Sequence, residues 1–131
     1  MDDKCCVDFQ AAVDEYLIRH RSVLDVLTKY QEATARVNRA LAKAVTECGC
    51  VEIKAGRQSA PAEVQYSDLK NFVSSHVSGE PCEHCKEVLT KELGRSLFYT
   101  AALCNISGLS LHDVLRREHR NIATLGIFHL S

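Results

Sequence analysis

The sequence has no surplus of charge of either sign, no apolar run long enough to cross a bilayer, and no repeat or low-complexity segment. Sixteen Lys and Arg stand against 17 Asp and Glu, giving a formal net charge of −1, and the two signs are interspersed along the chain. A nucleic-acid binder gathers cations to neutralise phosphates, so this distribution argues against nucleic acid as a main partner. No apolar run approaches the ~18 residues of a membrane span, and the opening stretch MDDKCCVDFQ lacks the apolar segment of a signal peptide. The expectation is a cytoplasmic protein without a membrane partner. With 46% apolar and 25% charged residues the chain is composed like a globular protein rather than a disordered one. Its 131 residues suit a single domain, residues 1–131, too short for two independent cores.

What is present is helical periodicity. Phe9, Val13, Tyr16 and Leu17, then Val23, Leu24, Leu27, Tyr30, Val37, Leu41, Ala44 and Val45, recur at three- and four-residue spacing. Ser22 and Asp25 fit a capping box, which divides this stretch into helices at about 6–20 and 22–48, and Gly49 stands where a left-handed cap would stop the second. Residues 51–66 show no sustained period and read as a connector with a short extended piece at VEI. Ser67 is placed to cap a short helix ending before Gly79, and Pro81 suits the first turn of the next. That helix carries Cys85, Val88, Leu89, Leu93, Leu97 and Cys104 along one side to about Asn105; Gly94 inside it implies a close packing partner. Ser110 and Asp113 form a second capping box opening a helix over about 110–123, and Leu125, Ile127, Phe128 and Leu130 give the tail apolar groups to dock. The fold class is all-α, a small bundle of four to five helices.

Seven cysteines are an odd number, and in a reducing compartment a disulfide framework is disfavoured. Four of them form two close pairs, Cys48-x-Cys50 at the end of the second helix and Cys82-x-x-Cys85 at the start of a later one. Two such pairs supply the four soft ligands of a tetrahedral zinc site, and the ion would staple a connector that has little apolar surface to bury. Two other readings stay open. Cys48 and Cys85 can be small buried apolar residues, or Cys82 and Cys85 can be a redox dithiol, since a helix start favours thiolate. A dithiol motif usually follows a strand in a βαβ unit, which this sequence lacks. His84 could replace one ligand, Cys5 and Cys6 near the terminus have no assigned role, and Cys104 falls on an apolar face and is expected in the core.

The run KELGRSLFYTAALCNISGLSLHDVLRREHRNIATLG, residues 91–126, resembles the C-terminal half of the MazG-like nucleoside triphosphate pyrophosphohydrolases. Members of that all-α superfamily show Glu-Glu-Leu-Gly-Asp, an apolar helix, a Gly-hydrophobic-Ser/Asp-Leu turn and a basic last helix containing Asn. Glu92, Leu93 and Gly94, then Leu97, Phe98 and Tyr99, then Gly108, Leu109, Leu111 and Val114, carry the likeness, which extends weakly to YQEATARVNRALAKAV. The combination of an RVNRA helix, CGC, CxxC and an LFYxAALCN helix is similar to a group of small MazG-related proteins of Gram-positive, often anaerobic, bacteria.

The family's chemistry uses carboxylates on two helices to hold Mg²⁺ ions that bridge a triphosphate and activate water. At the matching positions Gln31, Ala35 and Asn38 are not acidic and only Glu32 is; Lys91 and Arg95 replace two acids of the later motif and only Glu92 remains. The resemblance therefore implies a non-catalytic or altered protein, with Glu32 and Glu92 as the catalytic pair and Mg²⁺ as cofactor if activity persists. Arg95 and Asn121 are the candidate phosphate contacts to a nucleotide ligand, although Arg95 can equally pair with Glu32, and the basic run RREHRN, residues 116–121, can face phosphate or solvent. Glu83 and Glu87, flanked by Lys86 and Lys91, read as a solvated face. The resemblance also implies a homodimer that completes the bundle.

Overall fold

The computed structural model describes residues 3–126. Four α-helices, α1 (Asp3–Tyr16), α2 (Val23–Lys43), α3 (Glu83–Ser107) and α4 (Leu111–Leu125), make an all-α architecture. Between α2 and α3 lie a π-helical turn at Ala44–Cys48, the two-residue strands β1 (Glu52–Ile53) and β2 (Val77–Ser78), and a six-residue 3₁₀ helix at Tyr66–Asn71. Of the tail residues expected to dock, Ile127, Phe128 and Leu130 lie outside the described range.

The first helix stops at Tyr16, four residues before the expected end, because Arg21 turns back on it. Its guanidinium donates to the Asp14 carbonyl at 2.9 Å, to the Asp14 carboxylate at 2.8 Å and to the Leu17 carbonyl, satisfying acceptors that another helical turn would have used. Ser22 then caps α2, its hydroxyl accepting from the Leu24 amide at 3.3 Å. The predicted box is half made there, since the Asp25 carboxylate sits 3.6 Å from His20 Nδ1. At α4 the Ser110 hydroxyl accepts from the Asp113 amide at 3.2 Å, as the sequence implies.

Val26 and Ala33 are buried on one side of α2. Val26 shares a core with Val13, Ala101, Ala102, Cys104 and Leu111, against which Phe9, Leu17, Phe98, Tyr99 and Leu103 pack. Cys104 is thus a core residue, as its place on the helix predicts. Cys48 meets Cys82 and Arg36 meets Glu92, so α2 and α3 run antiparallel along their lengths. Gly94 does not have the close neighbour expected of it: a Cβ there would find nothing within 4 Å.

Gln10 on α1 ties down the turn between α3 and α4. Its Nε2 donates to Asn105 Oδ1 and to the Leu109 carbonyl, both at 2.8 Å, while its Oε1 accepts from the Leu111 amide at 2.8 Å. A carbonyl in the turn between the two helices and an amide at the start of α4 are thereby paired by a single side chain.

Candidate metal centre

The connector is where the structure departs most from expectation, and the departure builds the site. The short helix predicted from Ser67 to before Gly79 is only the 3₁₀ helix at Tyr66–Asn71, entered from Gln65 without a side-chain cap. Beyond it the Ser74 and Ser75 hydroxyls accept from the His76 and Val77 amides at 3.0 and 3.2 Å, a local arrangement that competes with helix. The chain is then extended, and β2 pairs antiparallel with β1, Glu52 opposite Ser78 and Ile53 opposite Val77. The strand found at Glu52–Ile53 is the extended piece expected at VEI. This ladder closes the connector at its base and brings the two cysteine pairs to the same end of the α2–α3 hairpin.

Each pair is aimed by a glycine. The π-helical turn puts Cys48 at the end of α2, and Gly49, at φ 77°, reverses the chain with its amide on the Ala44 carbonyl at 2.9 Å, so that Cys50 returns beside Cys48. Gly49 is the left-handed cap the sequence predicts. Cys50 Sγ approaches the Ala44 carbonyl at 3.8 Å, and Val51 next to it is fully buried, anchoring the turn. On the other side Gly79, at φ 84°, passes so close that a Cβ would stand 2.9 Å from the Cys50 carbonyl oxygen. Pro81 precedes the helix rather than entering it, and Cys82 is the N-cap of α3.

The four sulfurs of Cys48, Cys50, Cys82 and Cys85 all lie within 4.8 Å of one another, with Cys48 and Cys82 at 3.8 Å. Four sulfurs held at about 2.3 Å from one ion in a tetrahedron stand about 3.8 Å apart. The cluster is therefore the size of a four-thiolate metal site. Cys48 is exposed and the other three are half-buried.

The thiols differ in acidity. The Cys82 pKa falls to about 7, first because the Cys85 amide favours its thiolate, although no full cap hydrogen bond closes there, and then because the Cys85 thiol adds to it. Cys85 is pushed up to about 12 by desolvation and by the neighbouring thiols. Cys48 is raised as well, chiefly by the Cys50 thiol. In the metal-free protein the Cys82 sulfur thus ionises readily while Cys48 and Cys85 resist, the behaviour of neighbouring thiols that cannot all carry charge without a cation among them.

His84 is exposed on the first turn of α3 and is not part of the four-ligand cluster, lining instead a cleft beside it with Lys43, Glu47 and Val88. Glu32 and Glu92 do come together, but across Arg36. That side chain is 3.5 Å from Glu32 Oε1 and 3.1 Å from Glu92 Oε2, and Lys29 adds a further contact to Glu32 at 3.6 Å. Arg95, a candidate phosphate contact with Glu32 as its alternative partner, is exposed on α3, and Glu32 pairs instead with Arg36 and Lys29. The position four residues after Glu32 was the available signal for Arg36. Asn121 lines an open groove along α4 with Arg116, Arg117 and Arg120, and Arg95 is not part of that lining. Among the described residues no helix is long and apolar enough to cross a membrane.

No protein-family model, curated protein or solved structure matches this chain.

Proposed function

We propose that this protein is a zinc-stapled helical scaffold of MazG-like type in which hydrolytic chemistry has been lost or altered. Cys48, Cys50, Cys82 and Cys85 hold one structural Zn²⁺, and the observation that carries this reading is the convergence of their four sulfurs within 4.8 Å from two turns 34 residues apart. Zinc suits an all-thiolate tetrahedral donor set. When bound, the ion supplies charge to keep four thiolates together and fixes the ends of α2 and α3; it leaves no open coordination position for a substrate.

The carboxylate pair supports the non-catalytic half of the proposal. A Mg²⁺-dependent pyrophosphohydrolase needs unneutralised carboxylates to bind its cation, whereas Glu32 and Glu92 both engage the Arg36 guanidinium. Incubation with a panel of nucleoside triphosphates and Mg²⁺ or Mn²⁺ is expected to release no pyrophosphate. Release that is abolished by Glu92→Gln would overturn this half and establish an active enzyme using Glu32 and Glu92.

A second reading, a thiol switch at Cys82 and Cys85, is favoured by the lowered Cys82 pKa. It leaves Cys48 and Cys50 without a role at the same cluster. A switch would show a titratable reduction potential in a metal-free protein that stays folded, while the staple predicts that removal of zinc unfolds the connector.

A further inference from the structure

The seam between α2 and α3 opens on one side into a cleft with an apolar floor and a cationic rim. Ala40 and Val88 make the floor, and Arg36, Arg39 and Lys43 of α2 stand along the edge with Glu92 of α3, around a volume of about 300 Å³. Ala40 is half-buried, so any larger side chain at that position would fill the seam. The cleft continues toward the cysteine cluster, where an adjoining hollow of about 270 Å³ shares Ala40, Lys43 and Val88 with it.

The cations on the rim are not equivalent. Arg36 is neutralised by Glu32 at 3.5 Å and Glu92 at 3.1 Å. Arg39 and Lys43 form no ion pair among the described residues. Glu47, which lines the adjoining hollow four residues beyond Lys43, does not reach it. Arg39 and Lys43 are also four residues apart, about 6 Å along the helix axis, a spacing at which like charges repel. A helix C-terminus draws cations to its last turn. That accounts for Lys43, which ends α2, and leaves Arg39, one turn further in, unexplained.

Two uncompensated cations above an apolar floor narrow the ligand that fits. An anion with two charges neutralises both, and the floor favours carbon between those charges. A phosphoryl group would lay oxygens on Ala40 and Val88 without hydrogen-bond partners and bring its charge toward the Glu92 carboxylate. A carboxylate instead matches the planar guanidinium fork of Arg39 through two parallel hydrogen bonds, while the Lys43 ammonium acts as a point charge for a second.

We infer that this cleft binds a short aliphatic dicarboxylate, one carboxylate on Arg39 and the other on Lys43, with the methylene chain between them lying on Ala40 and Val88. No metal takes part. The inference gives the scaffold a small-molecule ligand, and it holds whether or not the cysteines carry zinc.

Isothermal titration calorimetry on the full chain tests it, with circular dichroism and zinc content measured on the same samples. The probes are adipate, succinate and inorganic phosphate. Adipate is expected to bind once per chain, more tightly than phosphate and roughly tenfold more tightly than succinate, which lacks two methylenes. Arg39→Gln and Lys43→Gln should each weaken adipate by roughly tenfold or more with helicity unchanged. Ala40→Leu keeps both charges and fills the floor, and is expected to abolish binding. Arg57→Gln, which removes an exposed charge from the connector, should bind adipate like the wild type. No binding of adipate at millimolar concentration would overturn the inference. So would undiminished binding in Ala40→Leu, which moves the ligand out of the cleft, or an equal loss in Arg57→Gln, which reduces the effect to general attraction between charges. Phosphate binding as tightly as adipate would overturn the choice of a dicarboxylate.

Discussion

Replacing Gly79 by alanine is expected to loosen the metal centre through the backbone, without touching a ligand. Gly79 stands at φ 84°, and a Cβ there would lie 2.9 Å from the Cys50 carbonyl oxygen. The left-handed conformation costs an L-residue about 1–2 kcal/mol, and the overlap is with backbone that cannot swing aside, adding about 1–3 kcal/mol as in an overpacked core. Relief requires the two cysteine turns to move apart. If about 2–4 kcal/mol of that strain is present only in the metal-binding geometry, apparent zinc affinity falls by a factor of roughly 30 to 1,000. Competition with a chromogenic chelator measures it directly. The control is Gly94→Ala, where a Cβ meets nothing within 4 Å and the backbone is helical. That change should raise stability by about 0.8–1 kcal/mol and leave zinc affinity unaltered. Wild-type affinity in Gly79→Ala would refute the argument that the close approach of Gly79 to Cys50 positions the sulfurs.

Other consequences follow from the same geometry. Gln10→Ala removes three hydrogen bonds of 2.8 Å and should cost about 2–3 kcal/mol at roughly 1 kcal/mol each, read as a lower melting temperature with metal content retained. In zinc-free protein Cys82, with its pKa near 7, should be the first of the four cluster thiols alkylated by iodoacetamide at neutral pH, with a rate that rises through pH 7, and zinc should protect it. The same group has a pKa of 9.0 when unperturbed, so its contribution to metal-free stability is fully present above pH 9 and disappears as pH falls through 7. The raised Cys85 acts in the opposite sense, favouring the folded state below pH 9 and losing that contribution as pH climbs toward 12.

Much of the site was legible because its signals are local. Ligand type and spacing identified Cys48, Cys50, Cys82 and Cys85, and the caps at Gly49 and Ser110 follow from the conformations those residues favour. What stayed hidden depends on contacts between distant parts of the chain. Gly79 reads in sequence as a helix stop; its tight approach to Cys50 exists only once β1 and β2 pair. Gln10 bonds to residues about a hundred positions away, and nothing in its neighbourhood announces that. The expected far end of the first helix and most of the helix expected from Ser67 fail for a related reason: Arg21 and the Ser74 and Ser75 hydroxyls satisfy backbone groups that periodicity alone assigns to further helical turns. Glu32 and Glu92, the two carboxylates singled out by the resemblance, both contact Arg36, which the sequence shows only as a helical neighbour of Glu32.

Elemental analysis of protein purified under reducing conditions, with the melting temperature taken before and after chelation, tests the zinc staple most directly. The account predicts about one zinc per chain, the stoichiometry of a single tetrahedral site, and a marked fall in melting temperature when the ion is withdrawn. Protein that carries no metal, or that melts at the same temperature after its zinc is removed, would contradict it.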